Sequence, residues 1–172
     1  MDALPFTAQL INVFAAVLLL LSFAMLAQRR ILSLVDLLAW QGAALVGSTL
    51  AVAYSTGQQH LYYSAALTLA LKVILVPLVL HRLIRRLAVR WDTEPLLNIP
   101  ATMIVGLALV VFSFGLAQPI SALASTVTRS TLGIAIAVVM LSFLMMITRR
   151  KAISQVIGFL AMENGLFFAA TS

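Results

Sequence analysis

Charge is distributed so unevenly along this chain that six stretches run for about 20 residues each with almost none, and that is the length a helix needs to cross the hydrocarbon core of a bilayer. The whole chain is 63% hydrophobic and only 9% charged, with a mean hydropathy of +1.11. A soluble domain carries roughly 25% charged residues, so no water-facing surface of ordinary size can be built from this composition. In lipid only helices and closed barrels satisfy every backbone N–H and C=O. The apolar runs are rich in Leu, Ala, Val, Ile and Met and lack the alternation of a barrel strand, so they read as helices. The expected fold class is all-α, a polytopic membrane protein of about six transmembrane helices with no soluble domain. The helices are expected at about 8–28, 32–54, 61–82, 99–118, 128–148 and 152–170.

Polar residues mark the breaks. Arg29-Arg30 ends the first run, Ser55 to Gln59 forms a polar turn, and Gln118-Pro119 closes the fourth helix. The longest polar connection, from His81 to Pro100, contains Arg82, Arg85, Arg86, Arg90, Asp92 and Glu94. Arg149-Arg150-Lys151 divides the last two helices, and Pro77 falls inside the third, where it is expected to kink it. Nine Arg or Lys residues occupy connections 1–2, 3–4 and 5–6, whereas Arg129 stands alone in the others. The positive-inside rule then puts the N-terminus outside and the basic connections in the cytoplasm. The first ten residues hold Asp2 and no basic residue, unlike a secretory signal, so the first run is expected to be a retained helix. The net charge of +6 belongs to helix ends rather than to a nucleic-acid surface. The absence of cysteine excludes disulfides, thiolate metal sites and cysteine catalysis.

Part of the sequence occurs twice. Leu21-Ser22-Phe23-Ala24-Met25 precedes Arg29-Arg30, and Leu141-Ser142-Phe143-Leu144-Met145 precedes Arg149-Arg150 at the same spacing. Gly42 follows Arg30 by twelve residues and Gly165 follows Arg150 by fifteen, so a three-residue insertion aligns Trp40-Gln41-Gly42 with Glu163-Asn164-Gly165. Four helices separate the copies, which gives a parallel internal repeat of helices 1–2 and 5–6 of the kind some transporters contain; chance similarity between Leu-rich helices is the alternative. The expected organisation is a single transmembrane domain, 1–172. It comprises a first repeat unit at 1–90, a connecting segment with helix 4 at 91–127, and a second unit at 128–172 that ends one helix short of the first.

Ionisable residues inside a membrane are expensive, and each is a functional hypothesis by default. Lys72 and Glu163 both stand about eleven residues from a helix end, which at 1.5 Å per residue is roughly 16 Å deep, near the bilayer centre. Either they exchange protons or they form a structural ion pair. Asp36 is a weaker candidate for a proton pathway, because it lies within one or two turns of Arg30 and can reach the interface in a salt bridge. His60 and His81 read as interfacial. Gln41 and Asn164, at matching repeat positions, are candidates to hydrogen-bond between helices. No nucleophile stands with a base, and no Gly-rich phosphate loop or metal cluster is present, so neither catalytic nor metal-binding residues are expected.

Arg149-Arg150-Lys151 followed by Ile157-Gly158-Phe159-Leu160-Ala161-Met162-Glu163-Asn164-Gly165, together with Leu71-Lys72-Val73-Ile74-Leu75-Val76-Pro77-Leu78, resembles the membrane-embedded E component of hydrogenase-4-type (formate hydrogenlyase-like) complexes along essentially the whole chain. The second half is similar to the small K subunit of respiratory complex I and the C subunit of Mrp-type cation/proton antiporters. In those relatives a glutamate in the matching helix belongs to a membrane proton path, which carries over to Glu163. The family usually has a further helix with a second buried acid, absent here. The resemblance implies a multi-pass subunit of a bacterial or archaeal inner membrane. Its neighbours would be lipid and other membrane subunits, antiporter-like or anchoring a quinone- or hydrogenase-type arm. It implies no cofactor of the chain's own, since redox centres would reside in other subunits, and no nucleic-acid partner. A purely structural adaptor, an Mrp-type subunit and a free-standing small transporter are the competing expectations. The last usually carries its acid in the first helix, where this chain has none.

Overall fold

The computed structural model describes residues 6–86, 96, 98–121 and 126–171, the side chains at 120–121 and 126–130 excepted. Every regular element among them is helical: α1 (Phe6–Ala27), α2 (Ile31–Thr56), α3 (Gln59–Thr68), a π-helical segment (Leu69–Leu75), α4 (Val76–Arg86), α5 (Ile99–Ser121), α6 (Thr126–Thr148) and α7 (Ala152–Thr171). The segment from Gln59 to Arg86 is one continuous crossing, so six helices among the described residues are long and apolar enough to span a membrane. The chain is a multi-pass membrane protein. The expected boundaries move by a few residues. The third crossing ends at Arg86 rather than 82, and α5 continues through Pro119 to Ser121: a proline near a helix end removes one hydrogen bond without stopping the helix. Arg90, Asp92, Glu94 and the side chain of Arg129 lie outside the described residues.

Lipid hydrogen-bonds nothing, so each polar group must find its partner inside the chain. Most hydroxyls solve this within their own helix by donating to the carbonyl four residues back, as Ser22 does to Leu18, Thr49 to Leu45, Ser142 to Val138 and Thr148 to Leu144. At the end of α2, Gly57 adopts φ 68° and returns its N–H to the carbonyl of Ala53 at 2.9 Å, which closes the helix in a left-handed cap.

Two helical hairpins, α1–α2 and α6–α7, form the centre of the fold. α1 packs along α6 and α2 along α7. Ala15 and Leu18 of α1 share one apolar cluster with Ala135 and Val138 of α6, and Met25 and Leu26 share the other with Leu144 and Met145. Contacts rise in step along both helices, so α1 and α6 run in the same direction, and the two hairpins stand the same way up. The third crossing lies against α2, and α5 lies against α6 and α1. Most of the length of these two outer crossings is exposed, with residues such as Leu78, Ile104, Val111 and Phe112 facing out of the bundle.

Arg149 ties the hairpins together. It follows the last residue of α6, yet it is 1% exposed and is the largest fully buried side chain among the described residues. Its Nη2 donates to the carbonyls of Leu26 and Gln28, both at 2.8 Å, and to that of Met25 at 3.4 Å. These acceptors belong to the last turn of α1 and the link beyond it, where carbonyls lack helical partners and the helix dipole favours a cation. Burial, and after it the charge of Arg29, pushes the guanidinium below its usual range. Read from sequence, Arg149 is one of nine equivalent orientation charges; in the structure it bridges the two hairpins. Arg149→Ala should therefore lower stability in mild detergent by about 2–3 kcal/mol, because charged hydrogen bonds are lost and buried carbonyls are left bare. Arg150→Ala, at an exposed neighbour, should change thermal unfolding little. Equal effects of the two substitutions would show that Arg149 is only a surface charge.

Candidate functional site

Between the two apolar clusters lies a polar layer at mid-depth. Gln41 of α2 is fully buried and donates from Nε2 to the Ser22 hydroxyl of α1 at 3.0 Å. Asn164 of α7 is 2% exposed and donates from Nδ2 to Gln41 Oε1 at 3.3 Å. The two residues that the repeat aligns thus touch each other where the hairpins meet. In lipid such side-chain bonds contribute about 0.6 kcal/mol each on average, so their main effect is to fix the register of α2 against α7.

Lys72 approaches this layer from the third crossing. It sits within the π-helical segment Leu69–Leu75, whose widened turn ends with the Val76 N–H bonded to the carbonyl of Leu71. Pro77 follows and has no N–H to offer, so the α-helical ladder cannot run unbroken here. Short π-helical turns within longer helices often occur at functional sites. Gly42 of α2 lets the segment come close: a Cβ at Gly42 would lie 3.3 Å from Val73 Cγ2 and 3.5 Å from Lys72 Cβ. From this position the Lys72 ammonium reaches α7, with Nζ 3.0 Å from Glu163 Oε1 and 5.5 Å from the centre of the Phe167 ring. The geometry is that of two charges in contact rather than an aligned hydrogen bond, and Nζ has no hydrogen-bond partner among the described residues.

The two charges differ in burial. The Lys72 side chain is 17% exposed and that of Glu163 49%, so the carboxylate occupies the outer surface of the chain beyond the ammonium. Trp40, which aligns with Glu163 in the repeat, is likewise exposed. Asp36 does not join this site. It lies nearer the basic end of α2, with Oδ1 3.6 Å from His81 Nε2, while His81 Nδ1 is 3.0 Å from the carbonyl of Pro77. The sequence candidates therefore separate into one mid-depth group, Lys72, Glu163, Gln41 and Asn164, and one pair near the basic end, Asp36 and His81. Ser22 is a member of the site that sequence reasoning misses. Its only sequence signal is the Leu-Ser-Phe motif, whose second copy, Ser142, bonds only within its own helix among the described residues.

A charge at this depth costs about 2.5–3.5 kcal/mol when isolated, and pairing lowers that cost. Lys72→Met and Glu163→Gln should each destabilise the chain by stranding the other charge, and the double variant should unfold at a higher temperature than the worse single one. Additive losses would mean that the ion pair contributes no coupling.

No protein-family model matches this chain, and no solved structure matches it. Among curated proteins, the uncharacterized protein Rv0085 of Mycobacterium tuberculosis (strain H37Rv) is 32% identical over 164 residues, covering 95% of this chain and 74% of the relative. With that identity over nearly its whole length, the chain belongs to the family of the mycobacterial protein Rv0085.

Proposed function

We propose that this chain is a membrane-arm component of a hydrogenase or related complex I-like oxidoreductase, where it contributes to proton or cation translocation coupled to electron transfer. The observation that carries the reading is the Lys72–Glu163 pair, 3.0 Å apart and set on a π-helical break at mid-depth. The likeness of the segments around both residues to hydrogenase-4-type membrane subunits supports it. An ion pair in lipid can gain or lose one proton at the cost of one isolated charge, and π-helical turns often occur at functional sites. The outward-facing carboxylate lies where a neighbouring membrane subunit would meet it. Redox chemistry would reside in partner subunits, and this chain would act as a non-catalytic component with no cofactor of its own. The location would be a bacterial or archaeal inner membrane, with the N-terminus outside and the basic connections in the cytoplasm.

A purely structural adaptor is the second reading. The amide-bonded layer of Gln41 and Asn164 favours it, because amides hold helices together but relay protons poorly. Glu163→Gln separates the two. It keeps size and hydrogen bonding but removes titration. Proton uptake by vesicles carrying the assembled complex should fall while subunit stoichiometry stays at wild type. Full coupling in a fully assembled Gln variant would leave only the structural role. For orientation, single cysteines at Gln58 and Arg86 should react with impermeant reagents from opposite sides of the membrane, and labelling from one side would reverse the assigned topology.

A further inference from the structure

The polar layer contains a donor–acceptor sequence whose last member has no partner among the described residues. Ser22 has one hydroxyl proton and directs it to the Leu18 carbonyl at 2.9 Å. Its oxygen can then only accept from Gln41, which forces Nε2, and not Oε1, to face Ser22 at 3.0 Å. Gln41 Oε1 is thereby the atom presented to α7, and it requires the donor Nδ2 of Asn164. The orientation of both amides follows from that single hydroxyl. What remains is Asn164 Oδ1, an acceptor buried with no hydrogen-bond partner among the described residues, in a residue 2% exposed.

Asn164 lines a small cavity with Lys72, Leu38, Val76 and Leu160. Lys72 lines it too, and its buried Nζ, beyond the ion pair with Glu163, has no hydrogen-bond acceptor among the described residues. The cavity volume is about 10 Å³, on the order of what one water needs. A buried water also requires at least two polar partners of suitable sense. Of the lining residues, Lys72 carries N–H donors and Asn164 a carbonyl acceptor, and a water molecule presents an acceptor and a donor in return. A bound cation is disfavoured, because the ammonium already supplies the positive charge.

We propose that this cavity is a binding site for a single water molecule, which accepts a hydrogen bond from Lys72 Nζ and donates one to Asn164 Oδ1. Lys72 would then be held on two sides, by the Glu163 carboxylate outside and by the water inside. Gln41 and Ser22 act as positioning residues, since they keep the Asn164 oxygen, rather than its amine, toward the ammonium. The proposal rests on the polar layer alone and holds whether or not Glu163 carries protons.

Solid-state nuclear magnetic resonance on the full, isotopically labelled chain in lipid bilayers tests it. Wild type should give a cross-peak from water protons to Lys72 Nζ at a depth where lipid supplies no water. Val76→Ile adds a methylene to the cavity wall and alters no polar group, and Asn164→Leu removes the acceptor. Both should abolish the cross-peak. Absence of the cross-peak in wild type would overturn the proposal, as would its persistence in either folded variant. The wild-type measurement stands by itself if a variant fails to fold.

Discussion

Lipid supplies no hydrogen bonds, and the arrangement of this protein depends on where its polar groups find partners instead. Apolar packing distinguishes poorly among the many ways that six greasy helices can be stacked, because lipid tails are as apolar as the helix surfaces. Two polar contacts remove that ambiguity at the centre of the fold. Arg149 joins the end of α6 to the carbonyls that end α1, and Gln41 with Asn164 joins α2 to α7 half-way along. Together they fix the direction, the register and the neighbours of both hairpins. Breaking either leaves a buried charge or amide unpaired, which costs more than a lost apolar contact.

The third crossing is placed by what the hairpins leave open. Gly42 presents no side chain, and the π segment settles against it with Lys72 pointing across to α7. Repeat position and exposure agree in an instructive way. Gln41 and Asn164 both turn inward, whereas Trp40 and Glu163 both turn outward. One copy thus presents an indole at its outer face and the other a carboxylate, and only the second needs Lys72. Among the described residues, this one difference between the hairpins, Trp40 against Glu163, accompanies the charged pair at mid-depth.

Much of this was legible from residue pattern. Long apolar runs bounded by arginine pairs determine six membrane-length helices, because length and hydrophobicity alone meet the requirements of a bilayer. The doubled Leu-Ser-Phe and Arg-Arg spacing marks the two hairpins, and the depth of Lys72 and Glu163 follows from counting residues along a helix of fixed rise. Tertiary structure decided the rest. Nothing local distinguishes Arg149 from Arg150, yet one is buried against a distant helix end and the other is exposed. Nor does sequence announce that Asp36 meets His81 while Glu163 meets Lys72, that the third crossing widens to a π-helical turn, or that Ser22 orients two amides on other helices. Hydrophobicity and helical rise are properties of a single segment and can be read from it. The partner of a buried polar group is set by which helix face lies opposite, and that exists only once the helices have packed.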